Sequence, residues 1–301
     1  MQNESFDPHR EPGSVPVQEE VPHKPATSRP TRQNASAGRF QLPGFLTPEV
    51  IAVWVAFVIM VTCNALFETL KLGGVTSADV SNAVFAWFAP AGYVFSIWGI
   101  IYIGLAVWLV LFTRSLADRT RFFGLPFSLE GALFVVSCVL NVTWLLSWHL
   151  QIFPLSIVVI IALLVCVTLL YVQVRRRASA WYEWAPISLY VAWLCVATLA
   201  NIAHVATRQS MGDIVLVSAI STVVLVILVW GLAFVMRRGL DDFVFGLVVL
   251  WATIGIGVRL MDVSVVVSVA VIAISTLGVL FVYLPWRRLL GKSDNRKRKS
   301  R

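Results

Sequence analysis

The sequence predicts an all-α protein, a polytopic transmembrane helical bundle of about eight spans. Three observations lead there. Hydrophobic residues make up 58% of the 301 positions and charged residues 13%, against roughly 45–50% and about 25% in soluble domains. The apolar residues are gathered into eight segments separated by polar links. Basic residues fall at alternate segment ends, as they do when the membrane orients each loop. This composition excludes a soluble globular enzyme, a disordered chain and a small disulfide scaffold.

Residues 1–47 are rich in Pro, Ser, Glu and Arg. They lack the apolar material for a core and read as a disordered cytoplasmic tail. No apolar stretch of the kind a cleavable signal requires occurs there, so the first span is expected to be an uncleaved anchor. The spans are 49–70, 91–113, 129–149, 153–173, 185–206, 213–236, 242–259 and 263–285. Most reach the ~20 residues that a helix needs to cross ~30 Å of hydrocarbon. The seventh is the shortest and leaves a re-entrant segment as the alternative. Pro90, Pro154 and Pro186 are read as helix starts, where a missing N–H costs nothing. The first link, 71–90, is long enough to act as a lid and carries Trp87 and Phe88. Residues 287–301 form a basic tail.

The charges test this map. Arg29, Arg32 and Arg39 precede span 1. Arg114, Arg119 and Arg121 follow span 2, Arg175–Arg177 follow span 4, and Arg237 and Arg238 follow span 6. With the C-terminal tail they place nineteen cations on one side, against Lys71, Arg208 and Arg259 on the other. Positive loops stay cytoplasmic, so both termini are expected inside the cell membrane and the span count is even. The net charge of +8 is thereby a topology signal, and nucleic acid is not an expected partner.

The spans hold almost no ionisable residue near their centres, which argues against ion coupling. The four cysteines are isolated in apolar runs, and no HExxH or acidic cluster is present, so no catalytic or metal-ligating residue is expected. Aromatics and amides at helical spacing stand out instead. Tyr93, Trp98 and Tyr102 lie in span 2, with Trp98 and Tyr102 four residues apart. Asn141, Trp144 and Trp148 share a face of span 3, and Tyr190, Trp193, Asn201 and His204 share a face of span 5. An amide in hydrocarbon needs a partner, so Asn141 and Asn201 should face the interior. Trp98, Trp144 and Trp193 are either core packing or the walls of a cavity; flat indoles with an N–H suit a planar apolar ligand carrying a few polar atoms. Trp181, Trp184 and Trp286 fit an interfacial belt. Gly255 and Gly257 read as helix-packing contacts. His149 and His204 fall near outer ends, as interfacial histidines or as haem-iron ligands.

These segments resemble the TspO/MBR family of tryptophan-rich sensory or translocator proteins. The carriers are Pro90-x-Gly92-Tyr93 with Trp98-x-x-x-Tyr102, Leu140-Asn141-x-x-Trp144, and Leu189-Tyr190-x-x-Trp193 with Ala197-Thr198 and Asn201. The chain departs from that pattern at Ala89-Pro90, where the family carries two adjacent prolines, and it lacks the first-loop Lys-Pro element. The resemblance implies a five-helix membrane domain over 48–206, with 207–286 as a three-helix extension. It also implies a porphyrin-like or haem ligand in a cavity under the first loop, lined by Trp98 and Trp193.

The expected function is binding of a planar tetrapyrrole-like ligand in an outward-facing intrabundle pocket. Its candidate residues are Tyr93, Trp98, Tyr102, Asn141, Trp144, Trp148, Tyr190, Trp193 and Asn201, under a lid carrying Trp87 and Phe88. The alternatives are a transporter of such a solute and, behind it, a porphyrin-modifying enzyme. Membrane lipids and a hydrophobic small molecule are the expected partners, with a homodimer left open.

Overall fold

The computed structural model describes residues 47–115, 127–209 and 215–284, all inside one compact unit that begins at Leu42. Both terminal tails, Trp286 and the charges of the 116–126 link lie outside the described residues. Among the described residues there are nine helices and no strand: α1 (Pro48–Thr69), α2 (Ser77–Asn82), α3 (Ile97–Arg114), α4 (Leu129–His149), α5 (Phe153–Arg177), α6 (Trp181–Gln209), α7 (Val215–Leu240), α8 (Val244–Leu260) and α9 (Val265–Tyr283). All but α2 correspond to the eight apolar segments.

Local chemistry sets the ends. The Thr47 hydroxyl accepts from Val50 N at 3.3 Å, ahead of Pro48 in the first turn. The Ser128 hydroxyl accepts from Gly131 N at 3.0 Å and opens α4, while Ser264 does the same for α9. Pro154 sits in the first turn of α5. Two boundaries differ from the expected ones. Residues Gly92–Ser96 form a 3-10 turn, so α3 proper begins only at Ile97. Helix α6 starts at Trp181, so Pro186 lies inside it rather than at its start. The ring faces Gly104 of α3, where there is room for close approach.

Helix α1 packs on α4, α4 on α5, α5 on α6, and α6 on α3. The ring of five closes at a thin seam, where α3 meets α1 only sparsely. Helix α8 packs on α6 and is embraced by α7 and α9. Outward faces are apolar, with Val58, Ile103, Val139, Val158 and Val266 exposed. So much exposed apolar surface calls for lipid. Among the described residues, seven helices are long and apolar enough to cross a bilayer.

The eighth, α8, has 17 residues, or about 26 Å at 1.5 Å per residue. It nevertheless joins the two ends of the bundle. At one end Glu49 accepts from Ser128 N (3.0 Å), Arg177 pairs with Glu130 (3.0 Å), and Arg175 donates to the Leu240 carbonyl. Asp242, just before α8, lies at that end against Tyr171 and Ser188. The C-terminal end of α8 reaches the opposite end, where Arg259 meets Pro90. Helix α8 therefore runs end to end, and its shortness is matched by its enclosure among other helices.

The belt reading of Trp184 is corrected by its surroundings. Trp181 is 59% exposed, but Trp184 is only 6% exposed. The Arg175 guanidinium lies 4.3 Å over its ring and Phe243 packs at its edge, so it is an interior cation–π partner.

Candidate functional site

The three aromatic stripes converge on Trp98. Its ring stacks on Tyr102 at 5.7 Å and 24°, lies tilted against Trp144 at 6.0 Å, and meets Tyr190 and Trp193 edge-on at 6.1 and 6.2 Å. Trp144 stacks in turn on Trp148 at 6.3 Å and 21°, and Trp148 meets His204 at 5.0 Å. Offset and edge contacts of this kind are the favoured geometries of aromatic pairs. Helical spacing brought each pair onto one face; the convergence of α3, α4 and α6 made them one cluster.

Beside the cluster runs a chain of amides and phenols. Tyr102 donates to Asn64 Oδ1 (2.7 Å), Asn64 Nδ2 donates to Asn141 Oδ1 (2.9 Å), and Asn141 Nδ2 donates to the Tyr190 hydroxyl (3.1 Å). Helices α3, α1, α4 and α6 are thus stitched through four side chains. Asn141 is wholly buried and its polar atoms are engaged within the bundle. Asn201 faces inward too, but only its oxygen is engaged, by Ser156 at 3.2 Å.

Two spaces flank the aromatic cluster. A groove of about 430 Å³ opens at the seam, between α1, the first link and α3, with Asn64, Glu68, Phe95, Trp98 and Tyr102 in its wall. A small inner cavity of about 30 Å³ lies on the other side of Phe95, lined by Ser81, Pro90, Trp144, Trp148, Trp193 and Asn201 among others. The inner cavity holds about one water's share of volume. Three of its lining residues carry a buried N–H group with no acceptor: Trp144 Nε1, Trp193 Nε1 and Asn201 Nδ2. Buried donors are nearly always paired, so three gathered around one small cavity stand out. His204, buried next to it, has both ring nitrogens unpartnered.

A family profile described as TSPO-like protein matches residues 50–284. The chain belongs to the TSPO-like family. The match takes in α7–α9 as well as the first five spans, whereas the motifs of the sequence covered only 49–206. Searches of curated proteins and of solved structures returned no match.

In this TSPO-like chain the first link is folded rather than loose. The 3-10 turn Leu72–Gly74 leads to α2, whose start carries a reciprocal Thr76–Asp79 cap. The Thr76 amide, and then its hydroxyl, hold the Asp79 carboxyl below its usual range. Ser77 N donates to Glu68, and Trp148 Nε1 donates to the Ser77 carbonyl at 3.3 Å. Trp87 and Phe88 are buried in the main core and do not stand over the site as a free flap. Tyr93 does not line either space. It is 48% exposed and packs edge-on to Trp251 of α8 at 5.6 Å.

That contact belongs to a clamp which sequence reasoning missed. Ala91 N donates to the Gly255 carbonyl (3.1 Å), Trp251 Nε1 donates to the Val94 carbonyl (3.1 Å), and Arg259 reaches the carbonyls of Pro90 and Ser81. A methyl on Gly255 would collide with Val94, so Gly is what lets the backbones meet. Helix α8 therefore fixes the entry to α3, and with it the position of Phe95 and Trp98. Asn64 was also missed, although it carries the same signal as Asn141 and Asn201, an amide inside an apolar span. His149 is tied down by its Nδ1 contact with the Leu145 carbonyl (3.0 Å), with Glu68 at 3.7 Å from Nε2. Among the described residues no group of three His, Cys, Asp or Glu is arranged to hold a metal.

Proposed function

We propose that the protein is a membrane-embedded sensory or binding protein for a planar apolar ligand with acceptor atoms, a tetrapyrrole being the class that the family suggests. The observation that carries this reading is the set of three unpaired N–H groups on residues that line the inner cavity beside an indole stack. The body of the ligand would lie in the 430 Å³ groove against Trp98 and Tyr102, within the ~300–1,000 Å³ usual for small-molecule sites. Phe95 borders both spaces, so a shift of its ring with Trp98 would let an acceptor end reach Trp144, Trp193 and Asn201. Tyr102 and Tyr190 hold the indoles in register through the Asn64–Asn141 chain.

Titrating the detergent-solubilised protein with protoporphyrin IX, read by tryptophan fluorescence, tests the site. A Trp98→Phe, Trp193→Phe double variant is expected to bind at least about ten-fold more weakly, equivalent to about 1.4 kcal/mol. Unaltered affinity would falsify the assignment. Flux of the same ligand into proteoliposomes separates a sensor, which binds without transport, from a transporter.

The charge pattern further supports placement in the cell membrane with both termini cytoplasmic. The end that carries Glu49, Arg177 and Asp242 would face the cytoplasm, and the site would open near the outer face. A reporter enzyme fused after Arg301 is expected to be active only on the cytoplasmic side; activity outside would overturn the orientation.

A further inference from the structure

We propose that Arg259 is the specificity-determining residue of this site and that it receives an acidic group of the ligand, making the ligand a planar apolar acid. The inference rests on the binding reading above. It starts from a cation whose charge is not balanced. Arg259 lies at the end of α8, half-buried, in a segment that faces hydrocarbon and protein. An ionised side chain in such a place normally finds a counter-charge or lines a functional site. Among the described residues no carboxylate pairs with Arg259. Its guanidinium instead donates to the carbonyls of Pro90 at 3.4 Å and Ser81 at 3.5 Å, and sits 5.0 Å over the Phe85 ring. Both hydrogen bonds are long beside the ~2.7–3.2 Å of a good N–H···O contact. The fork of five N–H groups thus keeps most of its donor capacity for a better acceptor.

The location gives that capacity a target. Ser81 and Pro90, whose carbonyls Arg259 holds, are both walls of the inner cavity. The unpaired nitrogens of its lining residues Trp144, Trp193 and Asn201 are all donors. Every uncommitted nitrogen of Arg259, Trp144, Trp193 and Asn201 therefore offers hydrogen. A carboxylate, with two oxygens and about four acceptor positions, complements such a set, and Arg binds it in a two-pronged, charge-assisted manner. A neutral ester offers weaker acceptors and no charge. Discrimination between acid and ester is accordingly assigned to α8, the helix that also clamps the entry to α3.

The test compares protoporphyrin IX, a diacid, with its dimethyl ester on the full-length protein in detergent. Wild type is expected to prefer the diacid. Arg259→Gln is expected to lower diacid affinity at least about ten-fold more than ester affinity, and Arg259→Lys to retain most of the preference. Circular dichroism and retained ester binding report that the variants are folded. Equal loss for both ligands would show that Arg259 only braces the link, and no loss for either would show that it plays no part; each overturns the proposal while the binding reading stands. Binding of neither compound by wild type would sink the binding reading and this inference together.

Discussion

Asp242→Ala is expected to destabilise the protein by about 3 kcal/mol or more, because each strong hydrogen bond to a buried charged group is worth about 1.5–3 kcal/mol. Asp242 is wholly buried and accepts four hydrogen bonds. Oδ2 receives the hydroxyls of Tyr171 (2.6 Å) and Ser188 (2.5 Å), while Oδ1 receives the amides of Val244 (2.9 Å) and Phe245 (3.1 Å). One side chain thereby caps α8 and ties it to α5 and α6. Alanine would strand two hydroxyls and two amides away from water. Asn keeps one oxygen for the amides and lets the hydroxyls rotate to accept, so Asp242→Asn should cost only about 1 kcal/mol. Thermal unfolding in detergent, followed by tryptophan emission, reads both. An alanine variant within 1 kcal/mol of wild type would mean that α8 is held by apolar packing alone.

Asp242 also shows why part of the molecule was hidden in the sequence. In the sequence Arg237 and Arg238 are a cytoplasmic charge signal, and Asp241-Asp242 is an acidic pair where span 7 begins. Asp241 is exposed and paired with Arg237. Its neighbour turns inward, and nothing in residue type distinguishes the two. The same limit applies to Arg259, counted as a loop cation although it is half-buried against the carbonyls of Pro90 and Ser81. Periodicity, by contrast, is a local property, and what depends on it was legible. Helix α4 was expected at 129–149 and spans Leu129–His149. Trp98 with Tyr102 and Trp144 with Trp148 stack because four residues bring side chains onto one face. Helix α6 begins earlier than its apolar run because Trp181, Tyr182 and Glu183 form an amphipathic first turn that hydropathy does not register. Whether two stripes on different helices face each other is a matter of tertiary packing. The Asn64–Asn141 bond, which joins helices 77 positions apart in sequence, could not be read from spacing.

Gly255→Val should have the second large effect, at a place where the sequence shows only a small residue in a helix. The added side chain would enter the space held by Val94, and Ala91 could not keep its amide on the Gly255 carbonyl. Overpacking a tight contact costs about 1–3 kcal/mol, and here the strain falls on one link. The 3-10 turn Gly92–Ser96 has few other backbone restraints, so it should shift, carrying Phe95 away from Trp193, which it now meets edge-on at 6.1 Å. Hydrogen exchange should therefore quicken across residues 77–96, while α5 peptides on the far side of the ring keep their protection. Porphyrin affinity should fall with it, because Phe95 borders both spaces of the site. Gly257→Ala is the matched control. Its methyl would press on Ile272 of α9 instead of on the link, so it should cost stability without speeding exchange at 77–96. Equal exchange in the two variants would show that the clamp does not hold the link. A selective response at Gly255 would mean that α8 sets the geometry of a site whose indoles and amides all come from the first five spans.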